Sequence, residues 1–361
     1  RLAIEKSESI LDRAAQVYQP IRQLRWHYRS RHESLIAYSN HEFYDGNLIL
    51  FPSPHNKSTN LGIKVHQVSE GTWDGKMNKP EAQRVVQSIL THMTDNPNES
   101  LGVATLNSAQ RDLIEELFDQ AIKRDPSAQS YISRWSNSPE PFFIKNLETV
   151  QGDERDCIFI SFTYSPMEGR GGHIDQRSFG PLNGPNGHRR LNVLFTRSKL
   201  RMEIFTSMDH EQIRIGSESA WGAKALKGFL KFARLGLLEP IYKRHTPEPS
   251  PFALAVRDAL KQRGFDVYCE VGVAGYFIDL AIANPDRPGS FVLGIECDGA
   301  TYHSAKSARD RDRLREENLV GLGWKIHRIW SSDWFRNKKA EITRLEARAR
   351  DLIRQHQCSI S

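Results

Sequence analysis

The chain has 361 residues, of which 39% are hydrophobic and 26% charged, which is ordinary for a globular protein. No apolar run reaches the roughly 18 residues of a membrane span, so we expect no membrane partner. The four cysteines lie far apart without a C-x-x-C pair, which argues against a zinc site or a disulfide framework and favours a cytoplasmic protein. A formal net charge of +6 favours a polyanionic partner.

Strand-like and helix-like segments alternate through the first two thirds of the chain. Pro80 and Glu81 belong in the first turn of a helix, and apolar residues follow them at helical spacing. Such alternation predicts a mostly parallel, doubly wound α/β sheet. The predicted strands are 101–107, 156–164 and 201–207, with helices at 109–122 and from 191 onward. Residues 165–190, rich in Gly, Pro and Arg, predict either a functional or a disordered loop.

A domain boundary is predicted at YKRHTPEPSP (242–251), which contains three prolines. After it the α/β pattern restarts with a helix, a hairpin, a charged helix and a last strand. The predicted domains are 1–241 and 250–346, with a linker at 242–249 and a helical tail at 347–361. Because the joint near Thr246–Ser250 is polar and rich in proline, we expect it to make few contacts and to be open to proteases. A tightly packed interface between the halves is the alternative.

Three segments of the first half resemble motifs of Upf-like superfamily 1 helicases. LRWHYRSRHESLIAYSNHEFYDGNLILFPSP (24–54) resembles the arginine-bearing motif that opens their second RecA-like domain. ETVQGDERDCIFISFTY (148–164) resembles motif V, and RRLNVLFTRSK (189–199) resembles motif VI. The three occur in the family's order, over roughly residues 1–235. The resemblance implies a second RecA-like helicase domain.

The resemblance also implies roles for four residues in ATP binding. Arg29 and Arg197 would deliver positive charge across the domain cleft to the γ-phosphate, because planar guanidinium groups suit its oxygens. Gly152 and Glu154 match motif V positions near the nucleotide. Phe195 departs from motif VI, which has a small residue before the threonine. Neighbouring arginines are interpreted as solvated surface charges, namely Arg22, Arg25 and Arg31.

Polar residues of the same half match family positions that touch the backbone of a nucleic acid. Hydroxyl and amide groups suit this role, since phosphate contacts position a strand without reading its sequence. The residues implied are Thr105, Gln110 and Thr149.

The sequence contains no G-x-x-x-x-G-K-[ST] phosphate loop and no Walker B acidic pair in this half. Binding of ATP with Mg²⁺ is therefore expected to need the first RecA-like domain, upstream of Arg1 in the full-length chain. We expect this chain alone not to hydrolyse ATP.

Three acidic residues of the second half are predicted to share one face of a hairpin. Side chains alternate along a strand, so Glu296 and Asp298 in FVLGIECDG point the same way, and the hairpin brings Asp279 alongside. Three carboxylates that close repel each other unless a cation intervenes. Their oxygens predict a site for Mg²⁺ or Mn²⁺.

The order Asp, hairpin, Glu-x-Asp resembles the PD-(D/E)xK nuclease fold. More closely, residues 250–345, with strings such as IECDGATYH, resemble the Vsr-like endonuclease domains fused to bacterial helicases. The resemblance implies that Asp279 and Glu296 hold the metal ion and that its bound water attacks a phosphodiester. Asp298 replaces the motif's lysine, and His303 or Lys325 would position or deprotonate the water.

One departure from the family bears on activity. The family has a glutamate in the first helix, where this chain has Ala253, and Glu270 is a possible substitute. Three functions therefore stay open. The first is a helicase–nuclease in DNA repair or defence, the second a nuclease fold that only binds DNA, and the third an RNA-directed helicase.

Overall fold

The computed structural model describes residues 10–55, 60–166, 172–236, 247–272, 274–298 and 306–358. Two sheets organise these residues, one in each half of the chain. Within the described residues, no helix is both long and apolar enough to cross a bilayer.

The first half is built from helices on both faces of a parallel sheet. Its helices are α1 (Ile10–Val17), α2 (Ser34–Phe43), α3 (Lys79–Asp95), α4 (Ser108–Ile122), α5 (Pro126–Trp135), α6 (Gly187–Phe195) and α7 (Trp221–Leu235). Its strands are β1 (Gly62–Gln67), β2 (Leu101–Thr105), β3 (Phe143–Asn146), β4 (Arg155–Ser161), β5 (Ile174–Asp175), β6 (Ser198–Thr206) and β7 (Ile213–Arg214).

Five strands form the main sheet in the order β1-β6-β4-β2-β3, and every neighbouring pair is parallel. Helices α3, α4 and α5 pack one apolar core on one face of it. Helices α2, α6 and α7 pack a second core on the other face. The predicted α/β fold class with a parallel sheet is thereby confirmed.

Capping residues explain where the predicted helices begin. The Asn78 side chain accepts a hydrogen bond from the backbone N–H of Glu81, and Pro80 lies in the first turn of α3. In the same way, Asn107 accepts from the N–H of Gln110 at 2.8 Å and caps α4. The polar residues before these two helices thus satisfy N–H groups that have no partner within the helix.

The Gly- and Pro-rich segment at 165–190 is ordered in its described part. Residues 167–171 lie outside the described residues. Beyond them, β5 leads into a 3₁₀ segment at Gln176–Asn183 whose Phe179 and Leu182 side chains are fully buried. An added Cβ at Gly187 would lie 2.1 Å from the carbonyl oxygen of Leu182, so close packing requires glycine there.

The second half forms a smaller α/β unit, as predicted. Its strands are β8 (Val267–Gly272), β9 (Phe277–Ala283), β10 (Phe291–Asp298) and β11 (Ile326–Trp330), and its helices are α8 (Pro251–Lys261), α9 (Lys306–Gly321) and α10 (Ser331–Cys358). The sheet order is β11-β10-β9-β8, with only the β10–β11 pair parallel. Helices α8 and α10 cover one face of this sheet.

The other face of the smaller sheet is covered in part by a segment from the first half, residues 50–54. The N–H of Leu50 donates to the carbonyl of Ala274 at 2.9 Å, and the N–H of Phe291 donates to Pro54 at 2.9 Å. The indole Nε1 of Trp324 donates to the carbonyl of Pro52 at 2.8 Å. The ring of Phe51 joins the core that contains Trp324.

The two halves therefore share a packed interface, which is the alternative to a flexible joint. Its physical reason is that Ile49 and Phe51 pack into the core around Trp324, whereas Leu48 and Leu50 stay in the core of the first half. The predicted linker at 242–249 lies partly outside the described residues, which resume at 247. The domain boundaries themselves stay a prediction.

Candidate functional site

A cluster of charged side chains lies where three distant segments of the first half meet. Arg29, in the loop before α2, donates through Nε to Glu154 Oε2 at 2.6 Å. Its Nη1 donates to the carbonyl of Thr196 at 3.0 Å, at the end of α6. Glu154 precedes β4 directly, so these contacts join residues 29, 154 and 196 at the surface.

Arg197 completes this arginine cluster. Its Nε donates to the carbonyl of Val193 at 2.7 Å, which fixes the guanidinium against α6. Burial lowers the pKa of Arg197, and the positive charge of Arg29 lowers it further, which shows that the two guanidinium groups act on each other. Two neighbouring guanidinium groups can bind the oxygens of a polyphosphate. The carboxylate of Glu154 is the present partner of Arg29.

Gly152 lies in the turn just before Glu154. Its φ of +91° is a conformation that residues with a Cβ rarely adopt, whereas an added Cβ would meet nothing within 4 Å. The backbone conformation of this turn, which positions Glu154 beside Arg29, therefore requires the glycine. Crowding by neighbouring atoms is not the reason.

The three residues expected to touch a nucleic-acid backbone are placed differently from one another. Thr149 is exposed after β3, and its hydroxyl lies 2.8 Å from Asn146 Oδ1. Thr105 and Gln110 are fully buried. The Thr105 hydroxyl donates to the carbonyl of Asn107 at 2.6 Å, and Gln110 bonds with the backbone of Asn78. Direct phosphate contact does not fit these two positions, because the fold itself uses their polar groups.

The acidic residues of the second half line one cleft of about 350 Å³. The last β9–β10 pair joins Leu280 to Ile295, and continuing this register places Asp279 opposite Glu296. The carboxylate of Asp279 accepts a hydrogen bond from the N–H of Cys297 at 2.6 Å. The cleft is lined by residues of β9, β10, α9 and β11, among them Asp279, Glu296, Asp298, Arg315, Glu316 and Arg328.

Burial and mutual repulsion perturb the acids of this carboxylate cleft. Burial raises the pKa of Glu296 to about 7, the charges of Asp279 and Asp298 add to the rise, and a 2.7 Å hydrogen bond from the Tyr276 hydroxyl opposes it. Burial also raises the pKa of Asp279, with a smaller contribution from Asp298. A cation in the cleft would relieve both effects.

Glu270 is an acid that sequence patterns alone did not place. Its pKa is raised to about 7, first by burial and then by the charge of Asp279, so the two carboxyl groups interact. Its φ of +50° interrupts β8 at this point. Ala253 is buried in α8, where its backbone N–H donates to the Ser250 hydroxyl at 3.1 Å. His303 lies outside the described residues.

The cleft's donor set is compatible with a hard divalent cation. Across the described ranges, no three His, Cys, Asp or Glu side chains are grouped so that they could hold a metal ion together. Mg²⁺ is commonly held by one or two carboxylates with waters and substrate phosphates. Asp279 and Glu296, which interact electrostatically, would make such a pair.

Comparison with known proteins agrees with this division into two units. Residues 6–209 match the AAA domain family, and residues 252–349 match the family REase_MTES_1575, a restriction-endonuclease-like domain. The chain is similar to an uncharacterized ATP-dependent helicase of Mycoplasma genitalium, with 30% identity over 342 residues, 90% of this chain and 29% of the relative. A homologue in Mycoplasma pneumoniae is 29% identical over 341 residues, 89% of this chain and 29% of that protein.

The chain thus spans less than a third of the length of these two relatives. The AAA match, in contrast, extends over more than half of this chain. The protein therefore belongs to the AAA-domain family, with a helicase-like domain followed by a restriction-endonuclease-like domain.

Proposed function

We propose that this chain is part of a longer DNA helicase–nuclease, combining the second RecA-like domain of a superfamily 1 helicase with a Vsr-like endonuclease domain. The observation that carries the proposal is that Asp279, Glu296 and Asp298 line one cleft within the restriction-endonuclease-like region. The two relatives are named ATP-dependent helicases, which supports the motor half of the proposal. DNA repair or defence against foreign DNA is the expected setting.

In the motor half, Arg29 and Arg197 would contact the γ-phosphate of ATP bound with Mg²⁺ to the first RecA-like domain. Their position at the surface, beside the turn of Gly152 and Glu154, supports this role. Closure of the two domains would bring the guanidinium groups to the phosphate. Until the domains close, the ion pair with Glu154 would keep the Arg29 side chain in position.

In the nuclease half, Asp279 and Glu296 would hold Mg²⁺ or Mn²⁺, which supplies a Lewis acid and an activated water for phosphodiester cleavage. The hydroxyl of Tyr276 fixes one oxygen of Glu296, and the N–H of Cys297 fixes one oxygen of Asp279. Among the described residues, the second oxygen of each carboxyl group accepts no hydrogen bond, and we propose that it binds the metal ion. His303 is proposed to take the proton of the attacking water.

Cleavage of supercoiled plasmid DNA with Mg²⁺ or Mn²⁺ tests the nuclease proposal. Glu296→Gln is expected to lower the rate by at least about a hundredfold, because it removes a charged ligand without changing side-chain shape. Glu317→Gln is the control, since Glu317 lies on the same domain with 61% of its side chain exposed. Equal cleavage rates for wild type and Glu296→Gln would show that Glu296 takes no part in the reaction.

The second proposed function is a DNA-binding module without catalysis, favoured by the buried Ala253 where the family carries an acid. Under this alternative, wild type binds DNA but leaves plasmid intact with both metals. An RNA-directed helicase is the third alternative. Comparing the affinities for RNA and DNA strands of one sequence separates it from the first two.

A further inference from the structure

Two helices of the first half place an aromatic pair, His188 and Trp221, at the surface. His188 lies in the first turn of α6, and Trp221 is the first residue of α7. Their rings stack with centroids 3.9 Å apart and an angle of 14° between the ring planes. We propose that this aromatic pair stacks against the bases of a single DNA strand. The inference rests on the proposed function, because it names a contact between the motor half and its substrate.

Two glycines bring the first turns of these helices together. An added Cβ at Gly187, which precedes His188, would lie 2.1 Å from the carbonyl oxygen of Leu182. An added Cβ at Gly222, which follows Trp221, would lie 2.2 Å from the same oxygen. Because neither position has room for a side chain, both helices pack directly against the Leu182 carbonyl. This close approach allows the two rings to stack.

Hydrogen bonds hold both rings of the aromatic pair in place. The indole Nε1 of Trp221 donates to Glu42 Oε1 at 2.6 Å, and an imidazole N–H of His188 donates to the carbonyl of Pro185. Trp221 nevertheless stays 47% exposed. An exposed ring that is already fixed by the fold is suited to bind a flat partner, since binding then costs little further ordering of the side chain.

The charges around the aromatic pair favour contact with bases over contact with phosphates. Arg189 and Arg190 follow His188, but Glu42 contacts Trp221, and Arg190 Nη1 lies 3.4 Å from Glu148 Oε1. Burial lowers the pKa of His188 and the charge of Arg189 lowers it further, so the imidazole is neutral at pH 7. The aromatic pair therefore contributes its ring faces rather than charge.

A single strand fits these ring faces better than a duplex. Every nucleobase presents a π-face, and in a single strand this face is open to an aromatic side chain. In a duplex the bases already stack on one another. The net charge of +6 attracts any nucleic acid regardless of its bases, so stacking should appear as an additional, base-dependent part of the affinity.

Removing the bases from the strand isolates the contribution of stacking. Affinities of the chain are measured by fluorescence anisotropy for a labelled oligothymidylate and for an abasic strand of the same length, in EDTA and at one salt concentration. Both strands carry the same phosphates, so charge contributes equally to their binding. Wild type is expected to bind the oligothymidylate about tenfold more tightly than the abasic strand.

Trp221→Ala and His188→Ala are each expected to reduce this preference to about twofold or less, with the affinity for the abasic strand unchanged. Trp221→Phe keeps an aromatic ring, so it should retain part of the preference even if Trp221→Ala loses its fold. Thermal unfolding of each variant checks the fold.

Two control variants separate stacking at this site from other effects. Tyr268→Ala is matched in exposure, because Tyr268 is 50% exposed but lies on β8 of the second half. It should keep the full preference for the oligothymidylate. Arg190→Gln removes a charge beside the aromatic pair, so it should weaken the binding of both strands by the same factor and keep the preference.

The proposed base contact is refuted if wild type binds the two strands equally, or if either Trp221→Ala or His188→Ala keeps the wild-type preference. Its failure can be told apart from failure of the proposed nuclease. Equal binding of both strands, together with cleavage of plasmid DNA, overturns the base contact alone. A preference that depends on both rings, without cleavage in Mg²⁺ or Mn²⁺, supports the base contact and contradicts the nuclease.

Discussion

Phe51 belongs to the AAA-matched half, yet its ring is buried against the smaller sheet, and Phe51→Ala tests what that packing contributes. The ring is 6% exposed, with its centroid 4.9 Å from that of Tyr276 and 5.7 Å from that of Trp26. Removing a buried phenyl ring typically costs about 3–5 kcal/mol in free energy of unfolding. Phe51 packs in one core with residues of β9, β10 and β11 and with Trp324, just before β11. The loss of stability should therefore appear in these strands.

Native-state hydrogen exchange measures this loss strand by strand. Amides of Phe277–Ala283 and Phe291–Asp298 are expected to exchange faster by the factor that corresponds to the lost stability, about two to four orders of magnitude for 3–5 kcal/mol. Phe118→Ala is the matched control, because Phe118 is also 6% exposed but packs between α4 and the main sheet. It should destabilise the first half and leave β9 and β10 unaffected.

Unchanged exchange in β9 and β10 of Phe51→Ala would refute the reasoning. It would mean that the smaller sheet is stable without the segment at residues 50–54. Equal acceleration in both variants would instead indicate that the whole chain unfolds as one cooperative unit, so that no local contribution of Phe51 exists.

Three further predictions concern the two sites. Burial raises the pKa of Glu296 to about 7, above its value in the unfolded chain. Ionisation of this group therefore lowers the free energy of unfolding as the pH rises from about 4.5 to 7. The free energy of unfolding of Glu296→Gln should therefore exceed that of wild type by about 1–3 kcal/mol in EDTA at pH 8, and should equal it at pH 4. Joined to the first RecA-like domain, Arg197→Ala should lose ATPase activity, measured by phosphate release, while keeping its melting temperature within a few degrees. Gly152→Ala should cost about 1–2 kcal/mol in thermal unfolding, because φ is +91° there.

Local signals predicted much of this molecule. Pro80 and Glu81 mark the start of α3 because a helix end needs a cap wherever it lies in the fold. Strand alternation predicted that Glu296 and Asp298 share a face, since the period of a strand is fixed by its backbone. The matched motifs placed Arg29 and Glu154 near the same nucleotide, and the structure joins their side chains although 125 residues separate them in sequence.

Other features could not be read from the sequence. A buried and an exposed Gln look alike in sequence, so the hydrogen bonds of Gln110 with Asn78 needed the structure. The apolar run at 48–51 shows that its residues will be buried, but not against which partner. Likewise, Glu270 lies between two residues of β8 that pair with the neighbours of Asp279, a register that needed the structure.

The position of residues 50–54 has a consequence for exchanging parts between related proteins. A chimaera cut at the proline-rich joint would take α8 to α10 away from the carbonyl of Pro52 and the ring of Phe51. In the excised part, the indole N–H of Trp324 would lose the Pro52 carbonyl as its acceptor, and the apolar ring would be exposed to water. To be transplanted intact, the restriction-endonuclease-like half must therefore be accompanied by residues 50–54, or the recipient protein must supply a loop that packs in the same place.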